Sequence, residues 1–114
     1  MGPGKKPTKA EAKRMARIVE AGCCACRSDT GAEWLRPVEV HHIKNEGMGA
    51  ARKGHAVTAA LCAWHHRGEP PEGFNVTTAT ERFGPSLFHN GRAFRKQYGD
   101  DKALLAFQEY LLTI

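Results

Sequence analysis

A chain of 114 residues is near the commonest size of one domain and can bury one modest core. Apolar residues are 41% of it, no apolar run approaches the ~18 residues of a membrane span, and no signal peptide precedes the first helix, so a cytosolic protein is expected. Seventeen Lys+Arg against twelve Asp+Glu, a net charge of +5, favour a polyanionic partner over an acidic membrane or acidic protein.

Residues 1–7, MGPGKKP, read as a flexible basic tail, and residues 8–114 as a single domain. Thr8 and Glu11 stand at capping-box spacing, strong helix formers follow, and Gly22 offers a left-handed end, which predicts a helix over 9–21. Met15, Ile18 and Val19 recur at helical intervals and should face the core. Lys9, Lys13, Arg14 and Arg17 form a wet face that suits solvent as well as phosphates. The alternation in PVEVHHI predicts a strand over 38–43 and AVTAALC a second over 56–61, joined by the Gly-rich, basic KNEGMGAARKGH. After Cys62, AWHHRG leaves room for a short helix only. The segment GEPPEGFNVTT, with its prolines and glycine, is expected to be irregular and rich in turns. GPSLFHNGRAFRKQYG predicts a helix from near Pro85, with Gly91 a break point and Leu87, Phe94 and Tyr98 on its apolar side. DDKALLAFQEYLLTI predicts a last helix starting at Asp100 or Asp101, with Leu104, Leu105, Phe107, Leu111 and Leu112 apolar. The fold class is α+β.

Four cysteines in a reducing compartment are metal ligands or buried thiols before they are disulfides. Cys23-x-x-Cys26 and Cys62-x-x-His65 share one step, and each can supply two corners of a tetrahedron. A lone C-x-x-C would compete with a redox pair, but two such pairs point to a structural zinc that staples a thin core. Cys24 is left for the core, with Cys24-x-Cys26 as the alternative pairing. A four-ligand site leaves His41, His42, His66 and His89 over, more histidine than a structural site needs. Adjacent strand residues face opposite ways, so His41 and His42 cannot share one job: one can bind a metal while the other contacts a water. Trp34 and Trp64 could stack on bases, but beside zinc ligands they read as core residues.

Taken together, GCCACR, EVHHI, GMG, the histidine before TAALC, LCAWHHR and the histidine before GRAFRKQYG resemble the HNH, or His-Me finger, nucleases. The pattern is closest to the phage recombination-enhancement, Ref-type, RecA-dependent DNA endonucleases, and it spans roughly residues 20–99. The resemblance implies a small ββα-metal core stapled by a structural zinc and flanked by an N-terminal helix and C-terminal helices. It also implies metal-dependent hydrolysis of DNA phosphodiesters with one catalytic divalent cation (Mg2+, Mn2+ or Zn2+). By the family's pattern His42 is the general base, and His41 and His66 are cation ligands; spacing alone allows His41 and His42 to exchange roles. His55 stands where a polar residue orients the base, or else it ends the loop by bonding backbone. His89 is the candidate third ligand, since the 68–78 segment is long enough to fold the following helix back. Lys44, Arg52, Lys53 and Arg67 flank the centre and are candidates for holding the scissile strand, though a basic loop offers such residues in any case.

DNA is the implied partner, and a RecA-type recombinase filament the implied context. Ref-type proteins meet that filament with a long basic N-terminal arm, where this sequence has only a few residues before its first helix. A zinc-stapled nucleic-acid-binding module without catalysis, or a small-substrate hydrolase, are the other classes. The surplus histidines argue against the first, and the missing phosphate loop against the second.

Overall fold

The structure is a computed structural model that describes residues 6–29, 34–43 and 57–114. The expectations for residues 1–5, and for Lys44, Arg52, Lys53 and His55 in the Gly-rich loop, lie outside the described residues.

Helix α1, Lys9–Ala21, follows its sequence signals. The Thr8 hydroxyl accepts from the Glu11 N–H while the Glu11 carboxylate accepts from the Thr8 N–H, and Gly22 ends the helix at φ 100°. Ile18 is buried, Met15 and Val19 are half-buried, and Lys9, Lys13 and Arg17 are exposed. Arg14 departs from the expected wet face. Its guanidinium donates to the Thr58 carbonyl at 3.0 Å and the Thr58 hydroxyl at 2.6 Å and pairs with Glu109, its long stem letting a charged head cross apolar ground.

Strands β1, Val38–His42, and β2, Thr58–Cys62, pair antiparallel with Glu39 opposite Leu61, His41 opposite Ala59 and His42 opposite Thr58. β1 stops one residue before its expected end, and β2 runs on through Cys62. All five β2 residues are buried, because α1 and other helices cover the strand; the small side chains of Ala59 and Ala60 let them come close. Helix α3, Ala63–Arg67, follows β2 with no linker and ends at Gly68 (φ 72°), where a Cβ would strike the His89 ring.

The remaining helices correct the sequence reading in three places. The CACRS segment after Cys23 is a one-turn helix, α2 (Cys24–Ser28), rather than a simple turn. The last three residues of the stretch expected to be irregular, 76–78, are already helical. In α4, Val76–Phe83, Asn75 and Thr78 cap each other reciprocally at 2.8 and 2.9 Å, an Asn-x-x-Thr variant of the box, and burial of Ala79 and Phe83 outweighs the weak propensity of its β-branched residues. The helix expected from Pro85 starts later, as α5, Gly91–Tyr98: Leu87 sits in a turn, Asn90 is the cap, and Gly91 heads the helix instead of breaking it. The last helix, α6, is Asp101–Leu111 with Asp100 as its cap, as expected.

Trp64 is buried as the core reading requires, but Trp34 is 53% exposed, with the Arg27 guanidinium 4.5 Å from its ring centroid. Gln108, which no apolar pattern flags, is fully buried on α6; its side-chain oxygen accepts from the Ala60 N–H at 2.8 Å and the Cys24 thiol at 3.0 Å. It therefore joins α6, β2 and α2, on the edge of β2 opposite β1.

Candidate metal centre and histidine pair

Both ligand pairs are built by one local device. Cys23 and Cys62 are each the cap of a five-residue helix, and each sulfur accepts the N–H of the residue three positions on, Cys26 and His65 respectively, at 3.4 Å. A cap and the third residue of the first turn point their side chains to the same side, which is why the x-x step recurs. Since β2 hands Cys62 directly to α3 and α2 packs on β2, the two helix starts meet.

Where they meet, Cys23, Cys26, Cys62 and His65 are all buried, with ligand atoms within 4.8 Å of one another. The Cys26 and Cys62 sulfurs are 3.9 Å apart, and His65 Nδ1 lies 3.6, 3.6 and 3.3 Å from the sulfurs of Cys23, Cys26 and Cys62. Tetrahedral zinc with ordinary bond lengths spaces sulfurs by about 3.8 Å and sulfur from nitrogen by about 3.6 Å. The four atoms can thus hold zinc with almost no rearrangement. Among the described residues this is the one group of three or more ligands so gathered.

The electrostatics suit a cation. Hydrogen bonds from Cys23 and Cys26 push the Cys62 thiol down to about 4, making it a thiolate, while burial pushes Cys23 up. Cys24 lies outside this group: its thiol donates to the Gln108 side-chain oxygen at 3.0 Å, and burial pushes it up to about 12.

A supporting shell fixes His65. Its Nε2 donates to the Phe83 carbonyl at 2.8 Å, which leaves the Nδ1 lone pair for the metal. The Tyr98 hydroxyl lies 3.3 Å from the same Nε2 and donates to Asp29 at 2.7 Å; burial first, then Asp29, push the phenol up, so it stays protonated. Sequence reading had Tyr98 only as an apolar helix position and did not single out Asp29.

Beside this centre lies a second constellation. His41 on β1 and His66 on α3 meet edge to face with ring centroids 5.2 Å apart. Burial first, then His66, push the His41 pKa below its usual value; Asp101 opposes this, and His42 and Arg95 reinforce it. His42 is the next residue of β1, exposed and facing the other way. Arg67 follows His66 and is about half exposed.

A further member of the group is Glu39, two residues before His41 and therefore on the same face of β1. One carboxylate oxygen accepts from His66 Nδ1 at 2.7 Å and the other from Arg67 Nε at 2.6 Å. Burial, which raises the Glu39 pKa, is outweighed by these two partners, and the carboxyl sits below its usual range. Sequence reasoning missed it, although the period-two alternation that paired it with His41 was visible.

His89 is not gathered into this pair. Its Nε2 donates to the Gly68 carbonyl at 2.9 Å and its ring lies against Trp64, so it holds the end of α3. Fold and site define a small α+β protein with a buried Cys3His centre and a histidine pair presented beside it by β1 and α3. The chain belongs to the family of recombination-enhancement, RecA-dependent nucleases, which it matches over residues 7–113. Among curated proteins no match is found.

Proposed function

We propose that this protein is a DNA endonuclease of the HNH type that hydrolyses phosphodiesters with one divalent cation at His41 and His66 and a structural zinc in the Cys3His centre. The observation that carries the reading is the meeting of His41 and His66 across the strand-to-helix junction, next to a second strand histidine that faces the other way. Family membership supports nuclease chemistry, DNA as substrate and a RecA filament as the setting.

Two imidazole ligands suit Zn2+, Mn2+ or Ni2+ better than they suit Mg2+ alone. When bound, the cation would neutralise charge developing on the phosphate and the leaving oxygen. The chain's own residues do the rest. His42, with a side chain whose ordinary pKa lies near neutrality, takes the proton from the attacking water. Arg67, with Lys44, Arg52 and Lys53, holds the scissile strand by its phosphates, and His55 orients the base. His89 closes the site from the side of α3; to act as a third ligand its Nε2 must first leave the Gly68 carbonyl.

The test is plasmid nicking by zinc-loaded protein across Mg2+, Mn2+, Zn2+ and Ni2+, with His42→Ala as the comparison. His42→Ala should lower nicking by ~10²-fold or more, with DNA affinity and zinc content kept, because a general base contributes to rate rather than to ground-state binding. Wild-type nicking by His42→Ala would show the base to be another residue. Tight DNA binding with no nicking in any metal, with or without a RecA filament, would make the protein a zinc-stapled binding module.

A further inference from the structure

A hydrogen bond to an imidazole fixes which of its nitrogens is left to bind something else. A carboxylate can only accept, so in neutral His66 the proton sits on Nδ1, bonded to Glu39, and the lone pair is on Nε2. The same carboxylate cannot turn away, because its other oxygen is held by Arg67 Nε, and Arg67 is in turn held by Glu69 at 3.1 Å. Glu39 is also tied to the position of His41: both are on one face of β1, with Leu61 and Ala59 as their cross-strand neighbours. One strand face thus presents one histidine directly and, two residues away, aims a second histidine that belongs to a different element.

From this geometry we infer that Glu39 is a positioning residue for the cation site: it sets the tautomer and ring orientation of His66, so that Nε2 faces a cation shared with His41. The inference rests on the reading of His41 and His66 as cation ligands. A purely structural tie is a weak alternative explanation for such a contact. A partly exposed ion pair adds little to stability, whereas loss of a carboxylate behind a ligating histidine typically lowers metal affinity ~10–100-fold.

Three measurements on zinc-loaded, full-length protein test it. The first needs no variant. In long-range 1H–15N spectra of histidine-labelled wild type, His66 should show a protonated Nδ1 and an unprotonated Nε2; the reverse tautomer overturns the inference.

The second is Mn2+ binding by calorimetry or electron paramagnetic resonance. Glu39→Ala should bind Mn2+ ~10–100-fold more weakly than wild type. Glu39→Gln, whose amide oxygen can still accept from Nδ1–H, should recover most of that loss. Arg67→Ala, which frees one carboxylate oxygen but leaves the Glu39–His66 bond in place, should weaken Mn2+ binding less than Glu39→Ala does. Unchanged Mn2+ affinity in folded Glu39→Ala, whatever its melting temperature, overturns the inference, as does equal weakening by Glu39→Gln and Glu39→Ala.

The third is nicking at rising Mn2+, where excess metal should restore the Glu39→Ala rate toward wild type. Wild type that takes up Mn2+ with this dependence on Glu39 yet leaves DNA intact, with a RecA filament present as well as without one, overturns the nuclease reading and upholds the positioning role. Wild type that takes up no Mn2+ overturns both.

Discussion

The thiols of the Cys3His cluster must be thiolates to bind zinc, so zinc affinity should depend on pH. Cys62, pushed down to about 4, is a thiolate throughout the neutral range, whereas burial keeps Cys23 protonated above the usual thiol value. Metal binding must therefore expel at least the Cys23 proton, and the sign follows: affinity rises with pH. From pH 6 to pH 8 the apparent zinc association constant should climb about tenfold per pH unit for each proton displaced. Chelator competition at several pH values measures it. A pH-independent constant would mean that all three thiols are already ionised. Cys24 shows how little separation in sequence matters at this scale. It is adjacent to Cys23, yet it points to Gln108 and stays a thiol.

At the scale of elements, the joints are polar and the surfaces between them apolar. Gln108 links α6 to the free edge of β2 and to α2, and no apolar residue can replace its acceptor. Gln108→Leu leaves the Ala60 N–H and the Cys24 thiol without that partner, a loss of about 1–3 kcal/mol for a buried donor. Among the described residues the Gln108 side-chain nitrogen has no hydrogen-bond partner, so removing it returns part of that cost. A net destabilisation of about 1–2 kcal/mol is expected, read from the midpoint of urea unfolding in zinc-loaded protein. A variant as stable as wild type would show that the Gln108 joint contributes nothing. Helix α4 belongs to the same scale. Its composition argues for a loop, but its Phe83 carbonyl is the acceptor that fixes His65, so an element with weak local signals is held by what it packs against.

For the whole molecule, the Cys3His centre is the point at which α2, β2 and α3 meet, with α4 and α5 attached through the Phe83 carbonyl and Tyr98. Structural zinc contributes about 10–16 kcal/mol in small metal-stapled domains, as much as the entire net stability of about 5–15 kcal/mol that a domain carries. Chelation should therefore abolish the cooperative thermal transition and most helical circular dichroism, and added Zn2+ should restore both. A zinc-stripped chain with an unchanged melting temperature would falsify the staple. No helix of the described residues is long and apolar enough to cross a membrane.

The features legible in the sequence are those governed by neighbours a few residues apart. The Thr8–Glu11 box, the alternation of β1, the two ligand pairs at x-x spacing and the Asp100 cap each follow from the geometry of a single turn or strand. The same chemistry made Cys23, Cys26, Cys62 and His65 recognisable as one set before any fold was known. Tertiary structure alone decided which groups meet across long stretches of chain: Glu39 with His66, His41 with His66, His89 with the Gly68 carbonyl, Gln108 with Ala60. Hydrogen bonds act over about 3 Å. A one-dimensional pattern can therefore say which face a side chain is on, but only the packing of helices around β2 says what lies within reach of it.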